Sequence, residues 1–124
     1  MRYIVLLKAA ELNPPPPGLL EAIMKLGEEA TSAGALLDNA GLAPAAKGAR
    51  IRVSGGELSV SDGPFAETKE FISYAQYEVA SKAEAVEWAS RFMKIHQDLV
   101  PGWEGECEVL KVYGPEDFGP PATQ

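Results

Sequence analysis

Hydrophobic residues recur along the chain with two different periods, and the alternation of these periods predicts the order of strands and helices. Residues 1–8 are apolar on both alternating faces, with Tyr3, Val5 and Leu7 on one face and Ile4 and Leu6 on the other. A run of this kind predicts a strand that is covered on both sides. The first strand therefore needs a covering layer on each face of its sheet.

Two segments have the three-to-four-residue spacing of amphipathic helices. The first spans residues 17–33 after a proline run, with Asn13 as a candidate cap before the prolines and Gly34 as its expected end. The second begins at Ser81, whose spacing from Glu84 is that of a capping box. The expected core stripe of the second helix comprises Ala85, Trp88, Ala89, Phe92, Ile95 and Leu99.

Five further runs have the composition or alternation of strands. They are residues 35–42, 49–53, 57–61, 71–79 and 106–113. The Gly55-Gly56 pair between the second and third of these runs predicts a tight hairpin turn. The resulting order is two βαβ-like halves with a hairpin inserted between them, which predicts an α+β fold. Residues 1–124 are expected to form one domain, with a Pro/Gly-rich tail at residues 114–124.

The charge balance limits the partners that are expected. The chain has 18 acidic and 11 basic residues, a net charge of −7, and the basic residues form no cluster. Such a surface repels a phosphate backbone, so we expect no direct binding to nucleic acid. The apolar run near the N-terminus is far too short for a membrane span or a signal segment, so no membrane association is expected.

One cysteine and one histidine limit the covalent and metal chemistry of the chain. Cys107 cannot form an intramolecular disulfide, and together with His96 it cannot supply a structural metal framework. No metal and no organic cofactor is expected, and a reducing cytoplasm is the expected location. Because no base adjoins Cys107 in the sequence to lower its pKa, this residue is interpreted as a small buried hydrophobe.

Residues 62–70, with the sequence DGPFAETKE, hold more functional groups than any other stretch of the chain. Pro64 fixes its own φ and restricts Gly63, so Asp62 is expected at a defined bend that follows a strand. One interpretation makes Asp62 a general acid or base toward a small substrate in a cleft between helices and sheet. The other makes it the acceptor of backbone amides in an Asx-type turn. The residues leave both interpretations open.

This nine-residue motif resembles the signature of the YCII-related proteins of the DGPF type. Four other stretches share the resemblance, so that it covers nearly the whole chain: MRYIVLLKA, GARIRVSGG, KAEAVEWA and GECEVLKVYGPEDFG. It implies a ferredoxin-like subunit that dimerises into an α+β barrel, in bacterial proteins of largely unassigned activity. A homodimer is also expected from the first strand, because two helices on one side of a sheet leave the other apolar face to be covered by a second sheet.

Further groups in the DGPFAETKE motif are candidates for chemistry and binding. Thr68 and Lys69 are candidate catalytic residues, because a hydroxyl can relay a proton and an ammonium can hold a developing oxyanion. Phe65, Glu67 and Glu70 are candidates for substrate binding. The competing interpretation is a solvated charged loop, in which Lys69 pairs with a glutamate for less than about 1 kcal/mol.

Three residues outside the motif are candidates for binding a polar or anionic molecule. Arg50 and Arg52 lie two apart on a strand, so both guanidinium groups project from one face and would form a fork for a carboxylate or phosphate. The simpler interpretation is the polar outer face of a hairpin, with Ile51 and Val53 directed inward. Asn39 stands where the family pattern commonly has a glutamate, and it remains a candidate for hydrogen bonding to a ligand.

His96 lies at the margin of the apolar stripe of the second helix, four residues after Phe92. A histidine oriented by a carboxylate is a standard proton shuttle, so a dyad of His96 and Asp62 is one hypothesis. The alternative is a packed or surface histidine without a catalytic role. The resemblance to the family includes no motif histidine in this chain.

These observations lead to one functional hypothesis and one alternative. The hypothesis is a homodimer that binds a small polar or anionic metabolite and, if it is an enzyme, catalyses cofactor-free proton transfer of the isomerase or lyase type. The alternative is a non-catalytic sensor or accessory domain. DGPF relatives resemble proteins encoded beside extracytoplasmic-function sigma factors, which implies a link to transcription without DNA contact.

Overall fold

The computed structural model describes residues 1–10, 12, 14–63 and 70–119. These residues form six strands, two long helices and two short 3-10 helices. The strands are β1 (Arg2–Ala9), β2 (Leu36–Gly41), β3 (Ala49–Ser54), β4 (Glu57–Asp62), β5 (Glu70–Glu78) and β6 (Gly105–Lys111). The long helices are α1 (Leu19–Ser32) and α2 (Lys82–Leu99), and the 3-10 helices span Ala45–Lys47 and Pro115–Phe118.

Four strands form one antiparallel sheet in the order β2-β5-β1-β6, while β3 and β4 form a separate hairpin. Within this sheet, β5 lies between β2 and β1. This order is that of a ferredoxin-like subunit, and the hairpin is inserted between β2 and β5. The predicted α+β fold of two βαβ-like halves with an inserted hairpin is confirmed.

The tightest packing lies between the sheet and small residues of both helices. Tyr3 and Val5 of β1 belong to one buried cluster with Ala30 of α1 and with Ala85 and Ala89 of α2. Because alanine side chains are short, they let both helices approach the same face of the sheet closely. This cluster lies at the end of the domain where β1 begins and α1 ends.

The two helices begin differently. In α2 the predicted cap is present in part: Ser81 Oγ accepts a hydrogen bond from the Glu84 backbone N–H at 3.2 Å. The return bond differs from a capping box, because Glu84 Oε2 accepts from the backbone N–H of Ala80, at 2.8 Å, and not from that of Ser81. The N-cap of α1 is Gly18, with φ of 84° and no side-chain cap. The expectation that Asn13 caps α1 is therefore wrong in position, because the helix begins only after the prolines; Asn13 itself lies outside the described residues.

Both predicted glycine signals are confirmed. Gly34 follows α1 with φ of 75°, and its N–H donates to the Thr31 carbonyl at 3.0 Å, which ends the helix in a left-handed turn. Gly55 and Gly56 have φ of 60° and 79°, as a two-residue primed turn between β3 and β4 requires.

The β3–β4 hairpin carries an apolar face, here called the hairpin face. Its members form two cross-strand pairs, Ile51 with Val60 and Val53 with Leu58. Their exposed fractions lie between 62% and 71%. The expectation that Ile51 and Val53 are directed inward is therefore not met within one chain, because the hairpin stands apart from the four-stranded sheet.

The sheet face opposite the helices, here called the open face, carries both apolar and polar side chains. Side chains of β1 alternate between the two faces, and Ile4 and Leu6 on the open face are half-buried. Leu110 lies opposite Ile4 and is 48% exposed, while the polar residues Gln76 and Glu108 lie opposite Ile4 and Leu6 on the neighbouring strands. The two helices cover only the face opposite the open face, as the sequence analysis of the first strand expects.

The core contains one polar side chain among the described residues, that of His96, which is 3% exposed. Its Nδ1 lies 3.0 Å from the Phe92 carbonyl oxygen, and the Phe92 and Trp103 rings pack on the imidazole with centroid distances of 4.8 and 4.7 Å. Burial lowers the pKa of His96, and the hydrogen bond to Phe92 opposes this shift. The predicted core stripe of α2 is wrong at its C-terminal end. Leu99, predicted to be in the core, is exposed, and His96 is buried instead.

We predict that the folded protein loses stability as the pH falls below about 6.5, the ordinary pKa of histidine. Folding lowers the pKa of His96, so the unfolded chain takes up the proton first, and unfolding becomes easier until the pH reaches the lowered value. The described carboxyl groups with lowered pKa values, those of Glu29, Glu78 and Asp117, titrate below this window.

The measurement is the midpoint of urea unfolding, followed by circular dichroism between about pH 5 and pH 7.5. His96 is the only histidine of the chain, so the His96→Gln variant should have a flatter dependence in this window. Parallel curves for the wild type and the variant would contradict the prediction.

Candidate functional site

A cavity lies between α1, the C-terminal part of α2 and the helix-covered face of the sheet, and is here called the α1 cavity. Its volume is about 350 Å³. It adjoins the alanine cluster and extends toward the start of α1, which contributes larger side chains to its walls. Among these are Leu19, Ile23 and Leu26.

A glycine helps to keep this space open. Gly27 lies in α1 and lines the α1 cavity, and a β-carbon placed on it would lie 3.9 Å from Leu36 Cδ2 and within 4 Å of no other side chain. Glycine inside a helix costs about 1 kcal/mol relative to alanine. Gly27 therefore lowers the stability of the helix, and it stands at a position where a larger side chain would narrow the cavity.

The walls of the α1 cavity are mostly aliphatic and aromatic. Five lining residues have a polar side chain: Asn39, Ser73, Tyr74, Tyr77 and His96. Tyr74 pairs with Leu6, so its hydroxyl lies on the open face and does not enter the cavity. No Asp, Glu, Lys or Arg is among the described lining residues. This composition is that of a small-molecule pocket, in which apolar walls supply contact area and a few polar groups set orientation.

Two of the polar groups are constrained by the surrounding structure. The Tyr74 hydroxyl donates a hydrogen bond to Asp38 Oδ2 at 2.9 Å, and this bond, together with the charge of Asp38, raises the pKa of Tyr74. Burial raises the pKa of Tyr77. Both tyrosines therefore remain uncharged at neutral pH.

The hydrogen bond of His96 fixes the proton on its ring. A carbonyl oxygen can only accept, so Nδ1 carries the proton and donates to Phe92, which leaves Nε2 with a free electron pair. His96 is also a lining residue of the α1 cavity. The acceptor that the neutral imidazole can offer to the cavity is therefore Nε2. Sequence analysis missed this role, because a lone histidine at the margin of a helical stripe carries no signal of a pocket.

The structure brings one of the predicted binding residues to the α1 cavity. Asn39, on β2, is a lining residue, as expected for a ligand contact. Asp62 ends β4, is exposed within one chain and lines no described cavity. Glu70 begins β5, where it is half-buried opposite Ala9. The predictions for Phe65, Glu67, Thr68 and Lys69 lie outside the described residues.

The arginine pair lies on the hairpin. Arg50 and Arg52 share one face of β3, opposite Ser61 and Ser59 of β4, which is the side-chain placement that the sequence predicts. Neither arginine lines the α1 cavity. Within one chain, the carboxylate of Asp62 also does not orient His96, since the hydrogen bond at Nδ1 is made by the Phe92 carbonyl. The single subunit thus contains no His96–Asp62 dyad.

A shallow groove between α2 and β6 contains the one cysteine. Cys107 is half-buried there, and burial raises the pKa of its thiol. A raised pKa disfavours the reactive thiolate, in agreement with a structural role. The described residues contain no cluster of three or more side chains suited to hold a metal ion.

Comparison with known protein families adds the family identity to this geometry. None of the described helices is long and apolar enough to cross a membrane. A search among curated proteins finds no match to the chain. The family model of the YCII-related domain matches residues 1–100. The chain therefore belongs to the YCII-related domain family, whose members form dimeric α+β barrels.

Proposed function

We propose that this protein binds a small organic molecule in the α1 cavity. The observation that carries the proposal is a cavity of about 350 Å³ with apolar walls and a few polar groups, which lies in the size range of ligand pockets, about 300–1,000 Å³. Closer packing of α1 would remove the cavity, and Gly27 instead preserves it. Membership of the YCII-related family assigns no reaction, so binding is the function that the geometry supports best.

The expected anionic character of the ligand receives no support from the α1 cavity. An anion in a largely apolar site needs a cation or several donors beside it. Arg50 and Arg52 are on the hairpin, and Lys69 lies outside the described residues. The proposal is therefore a small organic molecule without a required negative charge.

Acid–base chemistry by Asp62, with Thr68 and Lys69, stays a prediction. Asp62 is exposed on a hairpin that the described residues of one chain leave uncovered. A general acid or base must lie within hydrogen-bond reach of the reacting group, and none of the described cavities is lined by Asp62. The proposed catalytic role therefore requires a second molecule, either the ligand or another subunit, to cover Asp62.

A homodimer in the arrangement of the family is part of the same proposal. The described parts of one chain leave the hairpin face exposed, and they place no second layer over Ile4, Leu6 and Leu110 on the open face. A sheet with one uncovered apolar face gains stability by packing on a second sheet about 10 Å away. An isolated two-stranded hairpin is marginal in water, so the hairpin face also favours association.

We predict that replacing Gly27 with leucine weakens ligand binding at least about tenfold, because the new side chain occupies the α1 cavity. Lys25→Leu is the matched control, since it adds the same side chain to an exposed position of the same helix. The measurement is the ligand-induced rise in Tm across a panel of small metabolites and fragments. Equal responses of both variants, in a folded state verified by circular dichroism, would contradict a site in this cavity.

Turnover of any panel member that binds separates an enzyme from the alternative of a non-catalytic sensor or accessory domain. We predict that Asp62→Asn abolishes such turnover, because the amide cannot take up a proton, and leaves the Tm of the free protein within a few degrees. The test is the rate of product formation with the ligand at saturation. Unchanged rates in Asp62→Asn would remove Asp62 from the chemistry.

We predict that Leu110→Asp and Val60→Asp each weaken dimerisation by more than about a hundredfold, roughly 3 kcal/mol, because a carboxylate would be buried in the interface. Ser59→Asp is the matched control, since Ser59 neighbours Val60 but lies on the opposite face of the hairpin. Sedimentation equilibrium of the three variants measures the dissociation constants. A wild type that is monomeric at micromolar concentration would contradict the proposed dimer.

A further inference from the structure

We infer that the ligand of the α1 cavity is an uncharged, mostly apolar molecule with about a dozen non-hydrogen atoms, which donates one hydrogen bond to His96 Nε2. This inference rests on the proposed function and specifies its ligand. The size follows from the cavity volume of about 350 Å³. One water molecule, with its single non-hydrogen atom, occupies about 30 Å³ in the liquid, so the cavity has room for about a dozen such atoms.

The absence of charge follows from the lining. Among the described residues that line the α1 cavity, none is an Asp, Glu, Lys or Arg, and the two tyrosines remain protonated at neutral pH. An ion that enters such a site loses its hydration and finds no opposite charge to replace it. A neutral molecule loses less, and its apolar surface gains contact with the aliphatic walls.

The hydrogen-bond donor follows from His96. Its Nδ1 is committed to the Phe92 carbonyl at 3.0 Å, and the packed rings of Phe92 and Trp103 restrict rotation of the imidazole. Among the described residues, none hydrogen-bonds to Nε2. An acceptor in a buried ring favours a ligand that brings a hydroxyl or an N–H group.

The position of the other polar groups limits the ligand to few further hydrogen bonds. The Tyr74 side chain lies on the open face, where its hydroxyl donates to Asp38, so it offers no hydrogen bond to a ligand in the cavity. Asn39 on β2 and Ser73 on β5 are lining residues near the neighbouring strand ends, where Gly41 pairs with Ser73. Asn39 and Ser73 can together hydrogen-bond to one further polar group of the ligand. Sugars and other polyhydroxylated molecules would leave most of their hydroxyl groups without partners, so this class is disfavoured.

The experiment compares three probes of one shape: 2-naphthol, naphthalene and 2-naphthoate. They share a bicyclic apolar body and differ in having a neutral donor, no polar group, or a negative charge. Dissociation constants for the full-length protein are measured by NMR titration at neutral pH. We expect 2-naphthol to bind about fivefold tighter than naphthalene, because one hydrogen bond contributes an affinity gain of about this size. We expect 2-naphthoate to bind at least tenfold weaker than 2-naphthol.

The variant His96→Phe tests the named acceptor, because phenylalanine has a similar ring without Nε2. We expect it to remove the advantage of 2-naphthol over naphthalene and to leave naphthalene affinity unchanged within about twofold. His96→Gln, which retains a side-chain oxygen acceptor, is the second variant. If His96→Phe does not fold, two other measurements test the inference. They are the ratio of 2-naphthol to naphthalene affinity in His96→Gln and the comparison of the three probes in the wild type.

Different failures have different meanings. Binding of 2-naphthoate as tight as that of 2-naphthol would overturn the inference of an uncharged ligand, and a retained 2-naphthol advantage in His96→Phe would overturn the role of Nε2. If other panel ligands bind in a manner sensitive to Gly27→Leu but none of these probes binds, the inferred class is wrong and the proposed function stands. If Gly27→Leu alters no binding at all, the proposed function itself is wrong.

Discussion

The structure depends on how closely the two helices approach the central strand β1. At one end, Tyr3 and Val5 meet Ala30 of α1 and Ala85 and Ala89 of α2, and these short side chains let the layers close fully. Toward the start of α1, the larger side chains of Leu19, Ile23 and Leu26 take the place of alanine and line the α1 cavity. The packing that stabilises the domain therefore also determines where a ligand can bind.

The sequence predicts the fold well because most of its signals are local. The Ser81 cap, the Gly34 stop and the Gly55-Gly56 turn each involve a few adjacent residues, and each is present in the structure. The two-sided apolar pattern of β1 likewise identifies a strand that needs two covering layers. The capping prediction at Asn13 failed because proline is compatible with a first helical turn but does not require one.

The candidate site is less predictable because its residues are remote in sequence. Asn39, Ser73 and His96 come from three elements and meet only after the sheet order is set. No motif joins them, and the sequence stretch richest in functional groups, DGPFAETKE, follows a hairpin whose last described residues line no part of the α1 cavity. The density of functional groups in the sequence therefore did not mark the α1 cavity, which becomes visible only in the folded arrangement.

The hairpin connects the question of catalysis with the question of assembly. Among the described residues its strands are paired with each other only, and these residues place no layer over the hairpin face. A second subunit that packs on the hairpin face would fix the position of the hairpin and with it the surroundings of Asp62. The contacts of that carboxylate would then depend on the dimer. An acid–base role of Asp62 would therefore vary with protein concentration below the dissociation constant of the dimer, while binding in the α1 cavity, whose described walls come from one subunit, would not.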